Sequence, residues 1–187
     1  ILMGLEGGIF VVNTGMETDD KGMITEGWEM VERNVERVSR LVMDLLYCSK
    51  KRTPEFKPDV CPQDIGREVA DLYKQRLDDD SIELVLNVSD LPHSGTFDPD
   101  ALHNMLSNLV ANAIDACRFD MDEAKTSHTI WLRCLTDASG TTVFEVEDDG
   151  AGMPEDVAEK VFEDFFSTKG TEGTGVGLLV VQKVAEE

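Results

Sequence analysis

Residues 106–116 read LSNLVANAIDA. Asn108 and Asn112 stand four apart, so on a helix both amides lie on one face. Amide oxygens are hard ligands suited to Mg²⁺, an ion that keeps several waters and bridges substrate phosphates. Alone, the pair reads more readily as local polar contacts on a helix. The opposite face is apolar, through Leu102, Met105, Leu106, Leu109, Val110, Ala113, Ile114 and Cys117. Asp98-Pro99 starts this helix, with an N-cap residue followed by proline at the first turn.

Working outward, Thr129–Leu135 and Thr142–Glu147 read as strands downstream, a helix follows Pro154, and a last helix starts near Gly175. Upstream, Ile82–Val88 alternates apolar and polar residues and is rich in branched side chains, which predicts a strand. Gln63–Leu77 predicts a helix with Ile65, Val69, Leu72 and Tyr73 on one face. The order helix, strand, helix, strand, strand, helix, helix predicts an α+β fold with helices layered on a sheet, an α/β sandwich.

Lys50–Pro62 reads as a linker, with a basic triplet and Pro54, Pro58 and Pro62. Before it, Trp28, Val31, Val35, Val38, Val42 and Leu45 step by three and four along a heptad seam. Residues 1–16 place Leu2, Leu5, Ile9 and Val12 at helical spacing, although Gly4, Gly7 and Gly8 each cost about 1 kcal/mol against Ala. Asn13-Thr14-Gly15 and Asp19–Gly22 carry turn chemistry. Two such helices make an antiparallel hairpin. A lone hairpin cannot cover both sides of its stripe. We expect a second copy to complete a four-helix bundle, the alternative being packing on the downstream domain. The expected domains are 1–52, the hairpin, and 53–187, the sheet-bearing domain.

The segment EVEDDGAGMP at 145–154 ends a strand in Asp148-Asp149-Gly150-Ala151-Gly152. Its glycines let the backbone turn and approach a flat ligand. A carboxylate beside them can accept a hydrogen bond from an exocyclic amine. The segment GTEGTGVGLLVV at 170–181 runs glycine-rich backbone into a helix N-terminus, which suits phosphate. No GK[ST] follows the glycines, so it is not a Walker A loop.

In this order the three segments resemble the N box and the first and second glycine boxes of the GHKL ATPase superfamily, most closely those of the sensor histidine kinases. VFEDFFSTKG at 161–170, with Phe162, Phe165 and Phe166, is similar to that family's phenylalanine box and the start of its ATP lid. The hairpin resembles its dimerisation and phosphotransfer domain. The resemblance implies ATP and Mg²⁺ as ligands. Asn112 would hold the Mg²⁺, with Asn108 supporting metal and phosphates. Asp148 would receive the adenine amino group, while Gly150 and Gly152 would let the purine approach the backbone. Gly173, Gly175 and Gly177 would wrap the phosphates, Lys169 would be a lid contact, and Asp115, Thr168, Thr174, Val176 and Leu178 would belong to the same ATP site. Asp115 stands where many sensor kinases carry a basic phosphate contact, a departure shared with other members of the superfamily.

The implied activity is that of a protein histidine kinase. It passes the γ-phosphoryl group to a hairpin His and then to an Asp of a response-regulator receiver domain. Clamp ATPases and anti-sigma serine kinases of the superfamily want a Glu four residues before the metal-binding Asn. Asn108 stands there and cannot act as a general base. A nucleotide-binding pseudokinase scaffold is the other alternative. The chain has three histidines, His93, His103 and His128, none of them on the hairpin. We expect the acceptor upstream of Ile1, and the strands that usually follow the last helix beyond Glu187.

The composition narrows the partners. Lys and Arg number 17 and Asp and Glu 38, for a net charge of −21. That balance works against binding to nucleic acid and to anionic membrane surfaces. No apolar run approaches the ~20 residues of a membrane span, and no signal peptide is evident, so a cytoplasmic protein is expected. Cys48, Cys61, Cys117 and Cys134 lie far apart without a CxxC pair, which predicts buried thiols rather than zinc ligands.

Overall fold

The computed structural model describes residues 2–49, 53–88, 94–122, 124–136, 141–163, 166–167 and 175–187. His93, Phe165, Thr168, Lys169, Gly173 and Thr174 lie outside these residues, as do the side chains of Leu45 and Cys48. Two compact units are present, one built on the hairpin and one comprising residues 52–166 and 177–187.

In the hairpin, α1 spans Leu2–Thr18 and α2 spans Lys21–Ser49. The turn sits at Asp19, whose φ is 55°. The Asp20 carboxylate accepts from the backbone N–H groups of Gly22 and Met23 at 2.9 and 3.2 Å and so caps α2. Contrary to expectation, Asn13-Thr14-Gly15 is not a turn, and α1 runs through it. Thr14 and Thr18 bond back to the carbonyls of Phe10 and Thr14 within the helix. The glycines act as contact points. A Cβ on Gly15 would lie 2.9 Å from the Ile24 nitrogen, and one on Gly27 would lie 2.7 Å from the Val12 nitrogen. The helix-propensity cost of glycine is thus offset by close approach of α1 and α2.

The second unit carries β1 (Lys57–Val60), α3 (Pro62–Asp79), β2 (Ile82–Val88), β3 (Gly95–Phe97), α4 (Pro99–Arg118), β4 (His128–Thr136), β5 (Thr142–Asp148), α5 (Glu155–Ala158) and α6 (Gly177–Glu186). Its main sheet has the order β2-β4-β5, with β2 parallel to β4 and β4 antiparallel to β5. Central β4 alternates: Ile130, Leu132 and Cys134 are fully buried, whereas Arg133 turns outward to Glu145 and Glu147. Helices α3 and α4 cover the buried face, where Val69, Leu106, Val110 and Ile114 are fully buried. Each such side chain contributes about 1.5–3 kcal/mol. Helix α6 packs on α4 through Val180 and Val184. The fold is therefore α+β, with helices layered on one face of a sheet.

Part of the expected linker is structured. Lys57–Val60 pairs antiparallel with β3, and Pro62 opens α3. Buried Asp98 secures this region. One carboxylate oxygen accepts from Ala101 N–H at 3.0 Å as the N-cap of α4, and the other from Glu55 N–H at 2.7 Å. Among the described residues, no helix is long and apolar enough to cross a membrane.

Candidate functional site

Helix α4 carries Asn104, Asn108 and Asn112 on successive turns. The Asn108 amide donates to the Asn104 carbonyl at 3.0 Å, and the Asn104 side-chain oxygen lies at 3.3 Å. That fixes which way the amide points. A Cβ on Gly177 would lie 2.7 Å from the Asn108 Oδ1. Asn108 thus meets the first residue of α6, and glycine there permits the contact. Asn112 is half-buried one turn further along α4. Gly175 has φ +66°, Val176 is buried, and Leu178 lies in the first turn of α6.

Asp148 is the last residue of β5 and is half-buried. Its Oδ1 accepts from Gly150 N–H at 3.1 Å, which closes the turn locally. Gly150 is pressed against the end of α4. A Cβ there would meet the carbonyl carbon and oxygen of Ala116 and the nitrogen of Cys117 at 2.5–2.6 Å. Next to it, Ala151 N–H donates to the Ala116 carbonyl at 3.1 Å. Gly152 differs: nothing lies within 4 Å of its Cβ position, and its φ of +65° is what demands glycine.

Asp149 is a clamp that the residue pattern did not reveal. It accepts from Thr129 N–H at 2.9 Å and lies 3.2 Å from His128 Nδ1. Lys125 donates to its carbonyl oxygen and reaches its carboxylate at 3.2 Å. Burial opposes ionisation of Asp149, but the bonds from Thr129, Lys125 and His128 outweigh it and hold the carboxyl below its ordinary range. Burial, reinforced by the Asp148 and Asp149 charges, pushes the adjacent Cys117 thiol up to about 11. Cys117 and Cys134 are buried thiols, as expected, while Cys61 is half-buried.

Asp115 accepts from Arg76 of α3 at 2.9 Å. No signal in the residue pattern links Arg76 to α4, since 39 positions separate the two. Two of the candidate histidines are described. His103 lies on α4 near Ser107, and His128 opens β4.

Residues 97–187 match the family described as histidine kinase-, DNA gyrase B-, and HSP90-like ATPase. The chain is 32% identical over 160 residues to the sensor protein kinase PilS of Pseudomonas aeruginosa. This chain carries a histidine-kinase ATPase domain. The PilS match covers 84% of this chain and 29% of PilS, so the chain spans less than a third of that relative. The catalytic domain of the histidine kinase ThkA superposes on the kinase domain with a TM-score of 0.60 at 27% identity, covering 71% of this chain and 80% of ThkA's. Full-length ShkA in complex with AMPPNP shares the fold over 98% of this chain and 37% of its own, with a TM-score of 0.69 at 22% identity.

Proposed function

We propose that this chain is the transmitter part of a two-component sensor. It binds Mg-ATP and passes the γ-phosphoryl group to a hairpin histidine, from which a response-regulator aspartate receives it. None of the three histidines is on the hairpin, so the acceptor in this reading lies outside these residues. The observation that carries the reading is the docking of Gly150-Ala151 on the Ala116 and Cys117 backbone. It joins the turn bearing Asp148 to the helix bearing Asn108 and Asn112.

Asp148 accepts the adenine amino group, and Gly150 and Gly152 leave the purine room at the backbone. Asn112 offers Mg²⁺ a hard amide oxygen, and Asn108 supports it while holding the start of α6. The bound ion would neutralise phosphate charge. By resemblance, the second glycine box, with Thr168, Lys169, Gly173, Thr174, Gly175, Val176, Gly177 and Leu178, would supply the contacts to the phosphates. Asp115 follows Asn112 on α4, with its charge met by Arg76. Catalysis then rests on positioning and charge neutralisation.

Leu2, Ile9 and Met16 of α1, and Trp28, Val35 and Val42 of α2, are exposed at seven-residue intervals. These stripes support a homodimer through a four-helix bundle. Consumption of ATP assigns this part of the protein to the cytoplasm.

The test is calorimetric titration with a non-hydrolysable ATP analogue, with and without Mg²⁺, beside Asp148→Asn. The Asn oxygen can still accept from Gly150 N–H, so the turn survives. We expect Mg²⁺-dependent binding that weakens roughly 100-fold in the variant, about 2.7 kcal/mol. Equal binding by both proteins would overturn the adenine assignment, and no binding by either would overturn the nucleotide site.

A further inference from the structure

We propose that Cys117, His128 and Asp149 form a second metal site, one that takes Zn²⁺. The Cys117 sulfur, a ring nitrogen of His128 and a carboxylate oxygen of Asp149 all lie within 4.8 Å of one another. They come from three separate elements: the last turn of α4, the first residue of β4 and the turn after β5. Ligand atoms around tetrahedral zinc stand roughly 3.5 Å apart, given bonds of about 2.0–2.3 Å. From a ceiling of 4.8 Å, the donor atoms need to close by little more than about 1 Å to reach that spacing. A fourth ligand is at hand, since the Asp120 Oδ2 lies 4.0 Å from His128 Nδ1.

The donor set selects the ion. Sulfur and imidazole with carboxylate suit zinc, whereas Mg²⁺ and Ca²⁺ want oxygen alone. The site is therefore chemically distinct from the amide oxygens of Asn108 and Asn112. A cation already occupies this place. The Lys125 ammonium lies 3.2 Å from the Asp149 carboxylate and 3.9 Å from Asp120. It is a monovalent stand-in on the connection between α4 and β4, and zinc competes with it for both carboxylates. An occupied site would tie Asp149 to the end of α4, across the seam where Ala151 bonds Ala116. Asp148 is the next residue, so zinc would tighten nucleotide binding; that consequence alone rests on the function proposed above.

The test uses the 187-residue chain, reduced and free of nucleotide, titrated with Co²⁺ and then Zn²⁺. We expect one equivalent of Co²⁺ to bind with a thiolate-to-cobalt charge-transfer band and four-coordinate d–d absorption, both bleached by Zn²⁺. Cys117→Ser should abolish the charge-transfer band, and Cys61→Ser should leave it intact. His128→Gln should weaken both ions at least tenfold. Lys125→Gln removes the competing ammonium from a half-buried position and should tighten both about tenfold, which tests the site without substituting the buried cysteine. A band that survives Cys117→Ser, no uptake of Co²⁺, or an unchanged affinity in Lys125→Gln would overturn the site. Zinc should lower the Kd of the ATP analogue at least threefold in the parent chain and not in Cys117→Ser. Equal Kd values with zinc bound would overturn the coupling.

Discussion

The hairpin and the sheet-bearing unit dispose of their apolar side chains differently. In the hairpin the inner seam closes on glycine, with Gly8, Gly15 and Gly27 set against neighbouring backbone. Its outer stripe stays open: Trp28, Val35 and Val42 are 54%, 49% and 47% exposed. In the sheet-bearing unit, Leu106, Ile114, Ile130 and Leu132 are at 0%. The sheet-bearing unit closes a core of fully buried side chains, with Leu72 and Val143 among those left outside it, whereas the hairpin leaves its exposed apolar residues in a regular stripe. A regular exposed apolar stripe of that kind is the usual mark of an interaction surface.

The sharpest way to break this comparison is to charge the open stripe. Val35→Asp would bury a carboxylate in each copy of a bundle, at about 2 kcal/mol or more per group. Over two copies the loss is about 4 kcal/mol, or roughly 1,000-fold in dimer affinity. Sedimentation equilibrium should show a dimer for the parent chain and a monomer for the variant, with the affinity for the ATP analogue unchanged. A parent chain that is monomeric at tens of micromolar would remove the contrast.

The next effect belongs to the closed unit. Gly150→Ala forces a methyl group to within 2.5–2.6 Å of three backbone atoms of α4. Backbone cannot rotate away, so we expect about 3 kcal/mol of destabilisation in urea and loss of nucleotide binding. Gly152→Ala, two residues on, meets only the strain of φ +65° and should cost about 1 kcal/mol. Equal losses for the two would mean that the turn is not pressed on α4.

Much of this was legible from pattern. The heptad from Trp28, the alternation along 82–88 and the Asp98-Pro99 helix start all recur in the structure, because each is a local periodicity or cap. The short strands β1 and β3 were hidden, because a few residues carry no period and their pairing joins Lys57 to Phe97 across α3 and β2. The helix through Asn13-Thr14-Gly15 was hidden because its glycine answers to Ile24 and Asp20, not to its own neighbours. At the site, Asp148, Asn108 and Asn112 stood in recognisable segments. Arg76, Lys125 and the Cys117–His128–Asp149 cluster did not. They meet only when α3, α4, β4 and the turn after β5 are folded together, and cysteine spacing alone argued against a metal.

Asp98 tests how firmly the sheet-bearing unit holds its first residues. Asp98→Ala removes the cap of α4 and leaves Glu55 N–H without this acceptor. A cap is worth about 1 kcal/mol and the orphaned donor a similar amount, so about 2 kcal/mol is expected in urea denaturation. Asp98→Asn keeps one good acceptor and should lose about half of that. An Asp98→Ala chain as stable as its parent would show that the strand pair β1 and β3 anchors this region without the carboxylate.

The smallest effect asks whether α3 supports α4 through charge. Arg76 and Asp115 lie 2.9 Å apart with side chains 31% and 24% exposed, so water still screens them. A double-mutant cycle over Arg76→Ala and Asp115→Ala should give a coupling of about 1 kcal/mol, at the upper end for partly exposed pairs. The cycle is informative in a second dimension. If the pair serves only α3–α4 packing, Arg76→Ala lowers stability and leaves the affinity for the ATP analogue alone. If Arg76 neutralises Asp115 for the benefit of phosphate, Arg76→Ala weakens that affinity severalfold, and removing the Asp115 charge as well restores it. Restoration in the double variant would assign the ion pair to the site, because packing lost twice over cannot raise affinity.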